Sequence, residues 1–224
     1  MTNPSLIDTE ALMGTCRSEK LPHMSEEEFL AWLPAETNAE WVNGEVILMS
    51  PAALQHVRIT NWLDRVLGTY VAVKKLGELL GPELMVRLEH TGVSRRIPDL
   101  LFLATESLSR LQTNYLDGAP DVVIEIVSAE SAHRDWKEKP QEYEAAGVRE
   151  YWIIDPHSKI FLAQFRNDDG KFAKIELDAS GIFYSRTIAG FWLKPDCFWQ
   201  RDLPEIAVSL RALGLTIYTS RGEE

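Results

Sequence analysis

Residues 120–128, "PDVVIEIVS", decide the fold. Val122, Val123, Ile124, Ile126 and Val127 make a near-continuous apolar run, as in a strand buried on both faces. Glu125 interrupts it, and a lone carboxylate is costly to desolvate unless something compensates it. Asp121 does not fill that role. Four residues along a strand separate two side chains by about 13 Å, whereas a metal ion needs ligand oxygens within about 2.0–2.6 Å. Asp121, following Pro120, reads as the residue that starts the strand.

Glu125 therefore needs a partner from a neighbouring element. Asp99 is the best candidate, because it follows Pro98 at the start of another apolar strand, "RRIPDLLFLA". Paired strands lie about 4.8 Å apart, so carboxylates on two of them can converge on one cation. The cation would compensate the desolvation of Glu125. Two acidic side chains and a divalent ion form a phosphoryl-transfer site once a nucleophile activator stands beside them. A lysine two residues after Glu125 would serve, but position 127 is valine. On the following helix Asp135, Lys139 and Tyr143 fall at i, i+4 and i+8, one stripe that can face the strand ends. Lys139 is thus a candidate replacement. The same spacing also fits a solvated helix face carrying an Asp135–Lys139 pair. Pro140 cannot donate the helical bond to the carbonyl of residue 136, so a kink or restart there would re-aim Lys139.

Working outward, "SEEEF" from Ser25 has the S-x-x-E capping box with Glu28 at N3, predicting a short helix. Asn43-Gly44 within "AEWVNGEVILMSP" predicts a hairpin. A long amphipathic helix is expected from about Ala53 to Leu76, ended at or near Gly77. "ELMVRLEH" alternates as a half-exposed strand, and a turn at Thr91-Gly92 leads into "RRIPDLLFLA". A short helix over about 105–112 precedes the central strand. "SAHRDWKEKPQEYEAAGV" is the next helix, stopped by Gly147, and "EYWIID" a further apolar strand. Strand, helix, strand in succession points to a βαβ unit inside a mixed sheet. A hairpin around Asp168-Asp169-Gly170, the aromatic-rich "IFYSRTIAGFWLKPDCFW" and a last helix from about Pro204 complete the chain. Those aromatics suit packing or a dimer surface better than a base-stacking platform, because Lys and Arg are not interleaved with them.

The chain has 224 residues, 45% of them hydrophobic, enough for one good core. Its formal net charge of −11 repels phosphate backbones, so a nucleic-acid role needs a local basic strip or metal ions. Cys16 and Cys197 stand far apart with no CxxC pair, which suggests neither a disulfide framework nor a zinc site. No leader pattern and no membrane-spanning run is present, so the chain reads as soluble and cytoplasmic.

The segments "RIPDLLFL", "GAPDVVIEIVSAES" and "RDWKEKPQEYEAAGVREYWIIDP" closely resemble the Uma2-type (DUF820) proteins of bacteria, a group with the restriction-endonuclease-like PD-(D/E)xK fold. The resemblance extends back through "EWVNGEVILMSP" and His56 and forward through "GFWL", covering roughly residues 36–200. It implies an α/β fold: a restriction-endonuclease-like core with a mixed central sheet flanked by helices, and a C-terminal β-hairpin extension. The expected organisation is a poorly ordered lead-in over 1–22 and a nuclease-like core over 23–157. Residues 158–224 would pack on the same domain.

The resemblance also implies a Mg²⁺- or Mn²⁺-dependent nuclease site. Asp99 matches the aspartate of the PD motif and Glu125 the second acidic ligand. Lys139 matches the lysine this group carries on the following helix. Glu40 matches an acidic residue that completes such sites, and His56 a recurrent histidine at the start of the long helix. Arg87, Arg95, Arg96 and Arg134 are the candidates for gripping nucleic acid, with DNA the expected substrate and a homodimer the expected assembly. The alternative is a non-catalytic binding or regulatory protein that keeps the scaffold.

Overall fold

The computed structural model describes residues 21–34, 37–89 and 92–216. Residues 1–20 of the lead-in expected over 1–22, Cys16 among them, and the Thr91 half of the turn lie outside the described residues.

Helix α1 (Glu26–Trp32) begins with the expected capping box: Glu28 N–H donates to Ser25 Oγ at 3.2 Å and Ser25 N–H to Glu28 Oε2 at 2.7 Å. Strands β1 (Ala39–Val42) and β2 (Glu45–Leu48) form the Asn43-Gly44 hairpin, both turn residues having positive φ. Helix α2 (Leu54–Lys74) buries the stripe Ile59, Leu63, Val66, Leu67 and Tyr70. Lys75, in the left-handed region, ends it, and β3 (Gly77–Leu80) follows directly. Sequence patterning passes over β3 because its four residues are too few to show a period. Gly77 is required there, since a Cβ would stand 1.9 Å from the Leu103 carbonyl oxygen.

"RRIPDLLFLA" is two strands, not one. β5 (Val93–Arg96) pairs with β1 and β4 (Met85–Glu89), whereas β6 (Leu100–Ala104) belongs to a different sheet. Pro98 has no N–H to give a ladder, and the chain changes sheets across Ile97-Pro98-Asp99. Asp99 is left at the mouth of β6. A 3₁₀ turn (Thr105–Arg110) and β7 (Tyr115–Asp117) lead to β8 (Val122–Ile126). After it come a π-helical turn (Arg134–Glu138), α3 (Lys139–Ala146) and β9 (Glu150–Asp155), parallel to β8 as a βαβ unit requires. β10 (Ile160–Arg166) and β11 (Phe172–Lys174) form the next hairpin, β12 (Phe183–Tyr184) and β13 (Trp192–Leu193) a small one, and α4 (Ile206–Ala212) the last helix.

Two mixed sheets result, in the orders β2-β1-β5-β4-β7 and β11-β10-β9-β8-β6-β3. Strand β8 is central to the second and buried on both faces, as its composition requires. Val122, Ile124 and Ile126 pack into a core shared with α2 and the C-terminal aromatics, including Phe183, Phe191 and Phe198. Val123 and Val127 pack the other way, with Tyr143 of α3 and with Val86 and Leu88 of the first sheet. By alternation Glu125 points to this second side, between the sheets and beside α3. No helix among the described residues is long and apolar enough to cross a membrane.

Candidate active site

The register of β6 against β8 pairs Leu100 with Ile124, Leu101 with Val123 and Phe102 with Val122. Continued one step, it sets Asp99 opposite Glu125. Asp99 is fixed at both oxygens: Oδ2 accepts from Ile126 N–H at 2.6 Å, and Oδ1 lies 2.9 Å from His56 Nε2 in the first turn of α2. Asp121 is elsewhere. Its carboxylate accepts from Ala104 N–H at 2.9 Å at the far end of β6, which bears out its reading as a strand-start residue.

Glu125 is 2% exposed. Its Oε1 accepts from Tyr143 Oη at 2.8 Å and lies 2.9 Å from Lys139 Nζ. Lys139, 3% exposed, also stands 3.0 Å from Asp135 Oδ1 and 3.7 Å from Glu40 Oε1. The helix stripe Asp135–Lys139–Tyr143 therefore faces the strand ends and is not solvated. Pro140 explains how. Lys139 N–H donates to the Arg134 carbonyl five residues back, closing a π turn, and Pro140 enters the first turn of α3, where no N–H is needed. The helix restarts at Pro140 and Lys139 is aimed inward. π turns of this kind recur at functional sites.

Glu40, on β1, is fully buried: Ile97 N–H donates to its Oε1 at 3.0 Å and Arg96 Nη1 to its Oε2 at 2.8 Å. Arg96 also forks onto Glu142 one turn beyond Lys139, with bonds of 2.9 and 2.6 Å. One guanidinium thus ties β1 and β5 to α3.

The arginine strip expected from sequence is redrawn by these contacts. Arg96 is fully buried among carboxylates, because the chain turns inward at β5 before crossing sheets. Arg95 is also buried, bonded to Glu26 at 2.8 Å and lying over the Tyr115 ring. Arg87 shares Glu26 and pairs with Glu89 and Asp117. Of the four, Arg134 lines the cleft that opens over Asp99 and Glu125. Sequence reading missed Glu142. Nothing in "KPQEYEAAG" separates it from Glu144, which turns away to bond the Phe172 N–H.

The electrostatics follow from this crowding. Burial opposes the Lys139 charge, but Glu125, Glu40 and Asp135 together outweigh it and hold its pKa above the ordinary lysine value. Burial pushes Glu125 up to about 8, with Lys139 only partly offsetting it and Asp135, Asp99 and Glu40 adding to it. Glu40 ends below the ordinary glutamate value despite its burial, through Lys139, Arg96 and the Ile97 N–H. His56 is lowered by burial, but its hydrogen bond to Asp99 and that carboxylate's charge bring it above the ordinary histidine value.

Among the described residues no three His, Cys, Asp or Glu side chains are grouped as a ready metal cage. Mg²⁺ commonly takes only one or two carboxylates and keeps several waters, so the pair Asp99 and Glu125 is a sufficient donor set of the right hardness. Charge points the same way. The carboxylates of Glu40, Asp99, Glu125, Asp135 and Glu142 face two permanent cations, Lys139 and Arg96, and the His56 ring. Asp135 Oδ1, although close to Lys139, is buried without a hydrogen bond. The residues present fit a divalent cation.

These features define a restriction-endonuclease-like α/β fold with an acidic, lysine-bearing cleft of about 530 Å³. The chain belongs to the Uma2 family, whose model, described as "Putative restriction endonuclease", matches residues 26–196. Among solved structures, a chain from Anabaena variabilis ATCC 29413 described as "a putative nuclease belonging to DUF820" aligns with a TM-score of 0.63 at 17% identity. The alignment covers 77% of this chain and 96% of that one, and the likeness is one of fold. No curated protein matches the chain.

Proposed function

We propose that this protein is a Mg²⁺- or Mn²⁺-dependent endonuclease that hydrolyses phosphodiester bonds in DNA. One observation carries the reading: Asp99, one residue before β6, and Glu125 of the adjacent β8 line the same cleft, with Lys139 2.9 Å from Glu125. Membership of the Uma2 family supports it. Asp99 and Glu125 would hold the divalent ion, which supplies Lewis-acid chemistry: a more acidic bound water and charge relief at the scissile phosphate.

The remaining work falls to side chains already in place. Lys139 stays protonated among its three carboxylates, so it acts as a fixed positive charge that orients the water and offsets charge developing on the phosphate. It is not the base. His56 and the Ile126 N–H fix the plane of the Asp99 carboxylate before substrate arrives. Glu40, held ionised by Arg96 and the Ile97 N–H, steadies Lys139 from the first sheet.

The test is incubation of purified protein with Mn²⁺ and either supercoiled plasmid or single-stranded circular DNA, beside Asp99→Ala. The wild type should cut and the variant should lose about 100-fold or more in rate, a change of about 2.7 kcal/mol in barrier. Equal cutting by both proteins, or by neither, overturns the reading.

A further inference from the structure

The cleft has an unusual distribution of charge for a site that acts on a polyanion. Among the described residues lining it, the cationic side chains are Lys139, Arg134 and the His56 ring. Lys139 is consumed by carboxylates and His56 by Asp99. Arg87, Arg95 and Arg96 are locked in ion pairs, and Arg58, although on α2, does not line the cleft. Arg134 is the cation left to meet a phosphate from the wall. Glu83 and Glu130 add further negative charge there. Duplex binding draws its affinity largely from many neutralised phosphates, and the described residues of this cleft, on a chain of charge −11, supply few cations to neutralise them.

What the wall supplies instead is exposed apolar surface. Leu48 at the end of β2 is 55% exposed, Met49 38% and Val57 on α2 40%, and Pro51 lies open between them. All four line the same cleft as Asp99 and Glu125. Large apolar side chains left in water at the rim of a polar cleft mark a ligand contact. Leu, Met and Pro are among the apolar residue types that nucleic-acid proteins wedge against base faces, partly unstacking the bases they touch.

Resting on the nuclease reading above, we infer that the lip formed by Leu48, Met49, Pro51 and Val57 seats an unpaired base beside the scissile phosphate. The substrate is therefore a single-stranded stretch of nucleic acid, not an intact duplex. Bases held on an apolar lip bring the phosphate to Asp99 and Glu125 without a basic strip.

The experiment compares Mn²⁺-dependent cleavage of one labelled DNA strand in three forms: free, in a blunt duplex, and in a duplex with a central unpaired loop. Wild-type protein should cut the free and looped forms at least about tenfold faster than the blunt duplex. The double variant Met49→Asn/Val57→Asn, shown folded by circular dichroism, should raise KM on the free strand about tenfold. A blunt duplex cut as fast as the free strand, or a variant that retains the full preference, overturns the lip and leaves the nuclease reading standing. If no form is cut, the nuclease reading fails, and fluorescence anisotropy of the same free strand decides the lip. Binding weakened about tenfold in the double variant upholds it; no binding by wild type overturns it. A double variant that sediments as a monomer where the wild type is a dimer assigns these residues to a subunit contact and also overturns the lip.

Discussion

Lys139 sits among the side chains of Glu125, Asp135 and Glu40, and its removal leaves like charges facing one another in a buried space. Breaking a buried ion pair from one side costs about 3–5 kcal/mol. Lys139→Met should lose that much in urea denaturation at neutral pH without divalent ions. The pH dependence has a definite sign. Glu125 is raised from 4.5 to about 8, so the folded state keeps its proton longer than the unfolded chain. Its contribution is fully present below about pH 4.5 and is lost as pH rises to about 8. Glu150, raised by burial, and His56, raised by Asp99 despite its burial, both lose stabilisation as pH rises and add to the slope, whereas Glu40, held low, costs stability only as pH falls below its ordinary value. The melting temperature without divalent ions should therefore fall by about 5 °C or more between pH 5 and 8. Glu125→Gln should flatten most of that fall, and millimolar Mn²⁺ should restore the wild type at pH 8. A wild-type melting curve independent of pH and of Mn²⁺ would sink this account of the carboxylate cluster.

At the scale of elements, the segment from the π turn to Gly147 is the device that delivers Lys139. Gly147 closes α3 at φ +95°, where an L side chain is strained, and a Cβ there would meet nothing within 4 Å. Gly147→Ala therefore isolates backbone strain and should cost about 1 kcal/mol in chemical denaturation, with no change in packing. Arg96 is the second device. Its planar fork joins Glu40 on β1 to Glu142 on α3, and a lysine cannot reproduce bonds to both. Arg96→Lys should lose about 2 kcal/mol of stability from the unsatisfied partner, and cutting should fall through kcat with KM little changed. The pattern of the helix stripe was readable from the sequence because i, i+4 and i+8 are local. Arg96 was not, since its partners lie 56 and 46 residues away and no local period records them.

At the scale of the molecule, the segment after residue 157 completes the core. β10 pairs with β9 along six residue pairs, and the Trp152 ring meets Phe183 edge-on at 4.9 Å and stacks on Phe191 at 6.0 Å. Phe183→Ala should destabilise by about 3–5 kcal/mol. A chain ended at residue 157 should give no cooperative unfolding transition, because it exposes the edge of β9 and the apolar face of α2 together. A soluble truncated chain with a sharp transition would show that residues 158–224 are dispensable.

The amino-acid order alone determined the elements whose signals are local: the capping box at Ser25, the Asn43-Gly44 turn, the long α2 stripe, and β8 as a strand buried on both faces. It also showed that Glu125 needed a partner and made Asp99 and Lys139 candidates for that part, with a solvated Asp135–Lys139 pair equally compatible with the helix spacing. Tertiary structure alone decided the break at Pro98 that puts β5 and β6 in different sheets, the inward aim of Lys139, and the fate of the arginines. Charge counting along a chain cannot distinguish a guanidinium facing solvent from one enclosed by carboxylates. That distinction is made by strand register and burial, which bring together side chains from opposite ends of the sequence.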